Sequence, residues 1–422
     1  MAEANEYYSF TDLPEDVQLS ILSFLPPEEL SCFSRTSKRF SDLYRNGRSR
    51  LWRTLCDRRW GHLTAISAWG QGKISYKFLY RTLCDWDGLP GFWRQWTPEW
   101  QNSSRLLSYQ SSPSTLMVLQ WGPWFISGSV ISPAEGGTYE IVTTPFLWIW
   151  ITPHEDLACY LDTEARIGES SNAFAARGLL PVYFEYTWNT YLRFGTDRTI
   201  NHMQRANDHC STRFDSQDTS QIYEYYANRK LSVKQKKREK HPRRWETEHF
   251  LKIVHSSPTS DRPLQGLWKG INEEMKLEFY LVTYDVLGLS CRRISDLSGG
   301  RLEGCKPVFW TGDATLLNGP LSPEDAHLYE SRVHISAQFN EPITEPVTHY
   351  MMINSSYDMV LCGLTQVFRN PGQVEGMLWR YRCGNFGFAF LRDDFIVDLR
   401  RIATNGRPAG VSAARHVSEP CS

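Results

Sequence analysis

The stretch that decides the reading is DLPEDVQLSILSFLPPEELSCFSRTSKRF, residues 12–40. Leu13, Val17, Ile21 and Leu25 recur every four residues, with Leu22 and Phe24 beside them, which is the apolar stripe of an amphipathic helix. Asp12 is placed to cap that helix, with Glu15 three residues on to bond back. Pro26 and Pro27 end it, and Pro27 can open a second helix carrying Leu30 and Phe33 on one face. Thr36 or Ser37 can cap a third helix through Lys38, Arg39, Phe40, Leu43 and Tyr44, and Leu51, Trp52 and Leu55 suggest a fourth. Helices this few and this short are marginal alone. Their exposed apolar face must therefore pack on the rest of the chain or be kept for another protein, since an apolar helix face laid in a groove is a common recognition mode.

The string Leu13-Pro14-Glu15, Ile21-Leu22-Ser23-Phe24-Leu25, Pro26-Pro27, Leu30, Ser37-Lys38-Arg39-Phe40 and Leu51-Trp52 resembles an F-box in order and spacing. That resemblance implies an F-box over residues 8–60 that docks on a Skp1-like adaptor and, through it, on a cullin in a ubiquitin ligase. It places Leu13, Pro14, Val17, Ile21, Leu25, Leu30 and Phe33 on the adaptor face.

Beyond it the composition constrains the rest. Of 422 residues, 41% are hydrophobic and 14% aromatic, enough for two or three domains with a substantial core. A formal net charge of −1 gives no reason to expect nucleic acid or acidic lipid as a partner. No run reaches the length of a membrane span, and MAEANEYY lacks a basic region followed by an apolar one, so a nuclear or cytoplasmic protein is expected. Ten scattered cysteines make no C-x-x-C pair, so reduced thiols are expected and no cofactor or metal. His202, His209 and Cys210 are the one His/Cys cluster and lack a second ligand pair.

Residues 61–87 read as a helical connection, with Tyr76, Leu79, Tyr80 and Leu83 at helical spacing. From residue 88 to 402 the apolar runs shorten, alternate, and are parted by Gly, Pro and Asn. Segments 115–121, 124–132, 137–144, 146–152, 182–188, 264–271, 276–285, 289–295, 332–339, 350–354 and 358–364 are strand candidates, and 376–402 reads as three more. The fold class is thus α+β: a helical F-box, then a mainly antiparallel β-barrel with a helical insertion at about 197–256. Within that insertion, 217–239 carries a Tyr-rich stripe and predicts a helix. Lys234–Arg244, with seven basic residues and one acidic, is either a nuclear localisation patch or a solvated face. Residues 403–422 lack an apolar run and are expected to be disordered.

Gly91-Phe92-Trp93-Arg94 and Gly266-Leu267-Trp268-Lys269 share one pattern, glycine, apolar, tryptophan, cation. A tryptophan two residues into a strand can plug a barrel floor, which would leave recognition to the opposite end. Thr311-Gly312-Asp313 and the turn bearing Arg382 and Asn385 are the candidates there for a peptide backbone, terminus, carboxylate or phosphate. The segments QGLWKG, LEFYLVTYD, CRRISD, PVFWTGD and RCGNFGFAFL resemble the β-barrel substrate domain of F-box-only protein thirty-one of animals and of plant F-box proteins that share it. The resemblance implies a substrate-recognition subunit for an unidentified protein target, without catalytic residues, and G-x-S-x-G, H-E-x-x-H and phosphate-loop motifs are absent. The alternative is a lipocalin-like or haem-binding barrel, for which His334 or His349 would have to point inward as an axial ligand.

Overall fold

The computed structural model describes residues 9–96, 116–133, 140–162, 179–187, 190–195, 248–254, 256–272, 275–285, 288–295, 307–336, 346–355, 374–404 and 407–408. Contacts divide the chain into two compact units. One comprises Met1–Pro90, Gln120–Ser127 and Leu147–Tyr160, and the other Gly91–Leu119, Gly128–Phe146 and Leu161–Ser422.

The helical bundle begins with a 3-10 turn, Phe10–Asp12. Ser9 caps it and Asp12 bonds back to the Ser9 amide at 2.9 Å, so the capping box sits one turn earlier than the expected Asp12–Glu15 pair. Helix α1 (Glu15–Leu22) follows Pro14 without a side-chain cap, and Glu15 and Asp16 complement its N-terminal dipole. Pro27 opens α2 (Pro27–Ser34) as the spacing predicts. Ser37 caps α3, which runs unbroken from Lys38 to Trp60 where two helices were expected. Gly47 explains the continuity: a Cβ there would fall 2.2 Å from Leu19 of α1, so the glycine is the groove into which α1 packs, not a break. Leu19, Leu22, Leu30, Leu43, Leu51, Trp52 and Leu55 form the core of this bundle.

The connection is helical, as expected: a 3-10 segment over Ile66–Gly72 and then α4 (Tyr76–Trp86). It is tied down by buried polar bonds. The Thr64 hydroxyl donates to the carbonyls of Gly122 and Pro123, and Trp69 Nε1 donates to Thr64 Oγ1 at 2.9 Å.

The described strands from 91 to 401 fall into two sheets, where a single barrel over 88–402 was expected. The first holds β1 (Gly91–Gln95), β2 (Leu116–Trp121), β3 (Ile126–Pro133), β4 (Ile141–Ile151), β5 (Leu157–Asp162), β6 (Leu179–Pro181), β7 (Tyr183–Thr187), β8 (Tyr191–Gly195) and β9 (Glu248–Lys252). Their order is β6-β5-β4-β3-β2-β1-β9-β8-β7, and Val182 alone parts the two end strands in the chain. Strand β4 merges two predicted strands across Pro145, while β9 falls inside the segment assigned to the insertion. The predicted helix at 217–239, the basic run 234–244, the strand at 358–364 and the His202–Cys210 cluster lie outside the described residues.

The second sheet holds β10 (Gly266–Ile271), β11 (Leu277–Asp285), β12 (Gly288–Arg293), β13 (Phe309–Thr311), β14 (Leu317–Asn318), β15 (Val333–Ile335), β16 (Val347–Ser355), β17 (Val374–Tyr381), β18 (Phe386–Phe390) and β19 (Phe395–Arg401). The path β10-β11-β12-β13-β16-β17-β18-β19 closes because β19 pairs back to β10, Trp268 opposite Arg401. Closure removes the free edges that an open sheet exposes. Its interior is filled by Trp268, Tyr280, Leu289, Phe309, Met351, Leu378, Phe386, Phe388, Val397 and Leu399 among others. The other face of β10–β11 packs Leu267, Ile271, Leu277, Phe279 and Leu281 with Phe92, Leu116 and Val118 of the first sheet.

A helical insertion interrupts the barrel at α5 (Pro323–Glu330), capped by Ser322. Its Tyr329 lies on Trp379 at 5.5 Å, within an outer cluster of Met377, Trp379, Tyr381, Ala389 and Ile396. Asp398, fully buried, is held there by the Tyr381 hydroxyl at 2.6 Å and His334 Nδ1 at 2.9 Å. In the tail, β20 (Ala403–Thr404) and β21 (Arg407–Pro408) pair as a short hairpin, so the expected disorder does not begin at 403.

Candidate functional site

On the bundle, α1 carries its apolar residues on two sides. Leu19 and Leu22 enter the core, while Val17, Ile21 and Phe24 remain 38%, 43% and 74% exposed. Pro14 is exposed, and Leu13, Leu25 and Phe33 are half-buried. Phe24 is braced rather than loose, since the Arg58 guanidinium lies 4.0 Å from its ring centroid and bonds Ser23. The result is an apolar strip, Pro14, Val17, Ile21 and Phe24, with Glu15 and Asp16 beside it. Single exposed apolar side chains are ordinary, but a row held on one helix face marks an interaction surface.

On the barrel, register brings several loops to one end. β10 starts there at Gly266, opposite Val282, and β19 ends there at Arg401. The turn from β17 to β18 closes beside Arg401, whose amide donates to Asn385 Oδ1 at 3.4 Å. Gly288 lies against Thr311 and Gly312, where a Cβ would meet the Thr311 carbonyl oxygen at 2.1 Å. Trp268 is fully buried, with its Nε1 donating to the Leu264 carbonyl at 2.9 Å. The Arg401 guanidinium sits over its ring, 5.2 Å from the centroid. Arg262 lies 6.0 Å from the ring of Tyr284, and Arg380 acts on the same tyrosine. Burial raises the Tyr284 hydroxyl pKa, while Arg380 and Arg262 pull it down. Burial lowers Arg401, and the neighbouring Arg380 charge lowers it further. Among the described residues, none of Arg262, Arg380 and Arg401 has a carboxylate within 4 Å. Three cations therefore lie at one barrel end with no carboxylate within 4 Å of them among the described residues.

A family model described as F-box-like matches residues 10–58. The chain is also similar to the F-box protein At3g12350 of Arabidopsis thaliana, 38% identical over 420 residues, covering 93% of this chain and 95% of that protein. The chain belongs to the F-box protein family.

In this F-box protein the expected adaptor face divides. Pro14, Val17 and Ile21 lie on the exposed strip, Leu13, Leu25 and Phe33 sit at its half-buried margin, and Leu30 is a correction. Its side chain is 0% exposed and serves the core of the bundle, because α2 turns it toward α3. Phe24 was within the quoted motif but absent from the expected face. Its signal was its place past the last turn of α1, where a phenylalanine has no turn of its own to pack on.

The barrel candidates are corrected in position. Asp313 and the 382–385 turn lie at the same end as Trp268, not opposite it. Asp313 is exposed and its carboxylate is spent on Thr315, whose side chain first and amide second, the latter at 3.0 Å, hold its pKa low. Asn385 accepts from the Arg401 amide of β19, and Arg382 is exposed beside it. Sequence reasoning missed Arg262, Arg380 and Arg401. The signal was parity: Arg380 follows Leu378, and Arg401 follows Leu399, at inward positions of alternating strands. His334 points to Asp398 on the opposite face from inward Val397 and Leu399, so it is not an inward axial ligand. His349 Nδ1 lies 3.0 Å from Thr348 Oγ1 at the rim.

Proposed function

We propose that the chain is a substrate-recognition subunit of a Skp1–cullin–F-box ubiquitin ligase. The α1 strip docks on the Skp1-like adaptor, and the barrel end holds a protein target. The observation that carries the reading is the row Pro14, Val17, Ile21 and Phe24 left exposed on a helix whose other face fills the core. Its own chemistry is tethering. An F-box subunit raises the effective concentration of target lysines at the conjugating enzyme and needs no nucleophile of its own. Buried thiols agree with that role, since burial pushes Cys56 up to about 12 and Cys159 and Cys291 higher still, leaving them protonated. The resemblance of the barrel segments to the substrate domain of F-box-only protein thirty-one points the same way.

On the target side, Arg262, Arg380 and Arg401 fit a carboxylate or phosphate of a peptide segment, which guanidinium groups bind through paired hydrogen bonds. Val17→Asp with Ile21→Asp tests the adaptor half. Co-purification of Skp1 should fall below detection with an unchanged melting temperature. Capture at wild-type level would refute the docking face.

A further inference from the structure

The F-box bundle is divided in charge. Residues 10–34, through α1 and α2, hold Asp12, Glu15, Asp16, Glu28 and Glu29 and no Lys or Arg. Residues 35–86, through α3 and α4, hold twelve Lys or Arg against Asp42, Asp57 and Asp85. Several of those cations are already engaged: Arg45 with Asp42 at 3.2 Å, Arg53 with Asp57 at 3.6 Å and Arg59 with Asp87 at 2.8 Å. Arg48, Lys77 and Arg81 make no ion pair within 4 Å among the described residues. Arg48 and Trp52 share one face of α3, and Lys77 and Arg81 share one face of α4. The helices join the two pairs, because Lys77 Nζ lies 5.9 Å from the Trp52 ring centroid. Burial lowers the pKa of Lys77, and Arg48 and Arg81 lower it further, as expected where three like charges crowd together. Asp85, one turn beyond Arg81, makes no ion pair within 4 Å with it among the described residues.

We propose that the seam of Arg48, Lys77 and Arg81 between α3 and α4 is a second docking surface, for an acidic segment of a partner protein, separate from the apolar strip on α1. Uncompensated positive charge held on two packed helices is stabilised when an acidic chain supplies the missing charge. Trp52 is buried beneath Lys77, so its ring is not open for stacking a base, which disfavours a nucleic acid. No large apolar side chain of α3 or α4 is exposed to enter a bilayer, which disfavours a lipid surface.

The test uses the full chain and a glutamate-rich peptide, followed by titration at two salt concentrations. Arg48→Glu/Lys77→Glu/Arg81→Glu should weaken binding by about tenfold or more and flatten its salt dependence, as loss of a charge-complementary contact requires. Arg50→Glu/Lys73→Glu, away from the seam, should leave it within about twofold. The Arg48→Gln/Lys77→Gln/Arg81→Gln variant, checked for unchanged circular dichroism, should weaken it by an intermediate amount. Three results would overturn the proposal. One is equal weakening by the control variant. Another is tighter seam-dependent binding to phosphatidylserine vesicles or to a single-stranded oligonucleotide. The third is loss of Skp1 capture in the seam variants, which would make the seam part of the adaptor interface.

Discussion

Strands β1 and β10 open their sheets in the same way. Gly91 and Gly266 have φ of 129° and 131°, a region that favours glycine. Trp93 and Trp268, two residues on, are both fully buried. Each tryptophan pairs across the sheet with a cation from the last strand, Lys252 and Arg401, which lies over its ring at 5.8 and 5.2 Å. Even the next backbone bond matches, Ile253 N to the Phe92 carbonyl and Ile402 N to the Leu267 carbonyl. The surroundings differ. Trp93 has Tyr186 at 6.1 Å, whereas Arg401 over Trp268 is crowded by Arg380 at the end that also holds Arg262 and Tyr284. One structural device is thus used twice, and in the barrel it is joined to arginines with no carboxylate within 4 Å among the described residues.

The largest effects should come from the shared device. Trp93→Ala and Trp268→Ala should each lower unfolding free energy by about 3–5 kcal/mol, as core tryptophan truncations do. Urea denaturation followed by circular dichroism checks this, and a cost under about 1 kcal/mol at Trp93 would break the equivalence of the two strands. Next come the glycines. Gly266→Ala should cost about 1–3 kcal/mol, from its φ and from a Cβ only 2.8 Å from the Ser256 carbonyl oxygen. Gly91→Ala shares the φ but meets nothing closer than Lys252 Cε at 3.4 Å, so thermal unfolding should show the smaller loss.

A pH effect belongs to the outer face of the barrel. Burial first, and the Asp398 charge second, push Tyr329 up to about 12, and the same causes push Tyr381 higher. The native state therefore favours the protonated phenols. This stability is full below the ordinary tyrosine value of about 10 and is lost as pH rises beyond it toward 12. Tyr329→Phe should flatten the fall in melting temperature between those values. The smallest stability change should follow removal of the cations. Lys252→Gln and Arg401→Gln each forfeit a ring contact worth about 0.5–1 kcal/mol, and at Arg401 relief from Arg380 should offset part of it. Paired melting curves would sharpen the contrast.

Much of this was legible because it is local. The helical bundle follows from the period of Leu13, Val17, Ile21 and Leu25 and from Pro27, and the three closing strands from alternation around Gly384 and Asp393. Strands β8 and β9 were missed because YLRFG and EHFLK are short and half polar, and their identity comes from pairing with each other and with β1. Helix α5 was missed because it buries no residue fully and is held through Tyr329 at one end. The division into two sheets was present in the GFWR and GLWK echo, yet only the pairing of β1 with β9 and β10 with β19 shows that each copy starts a sheet. The charged barrel end joins Arg380 and Arg401, which the consecutive strands β17, β18 and β19 carry, to Arg262, 118 residues before Arg380, and the return of β19 to β10 brings that distant residue to them.

The most direct test of recognition at that end is target capture in cells under proteasome inhibition, read by quantitative mass spectrometry of proteins held by the tagged chain. Arg380→Gln/Arg401→Gln should lose target proteins about tenfold or more while Skp1 recovery stays level, as expected when a charge-assisted contact is removed. Lys252→Gln, the matching change in the first sheet, should leave both unchanged. Full target recovery by the double arginine variant, or equal loss with Lys252→Gln, would contradict recognition at the charged end of the barrel.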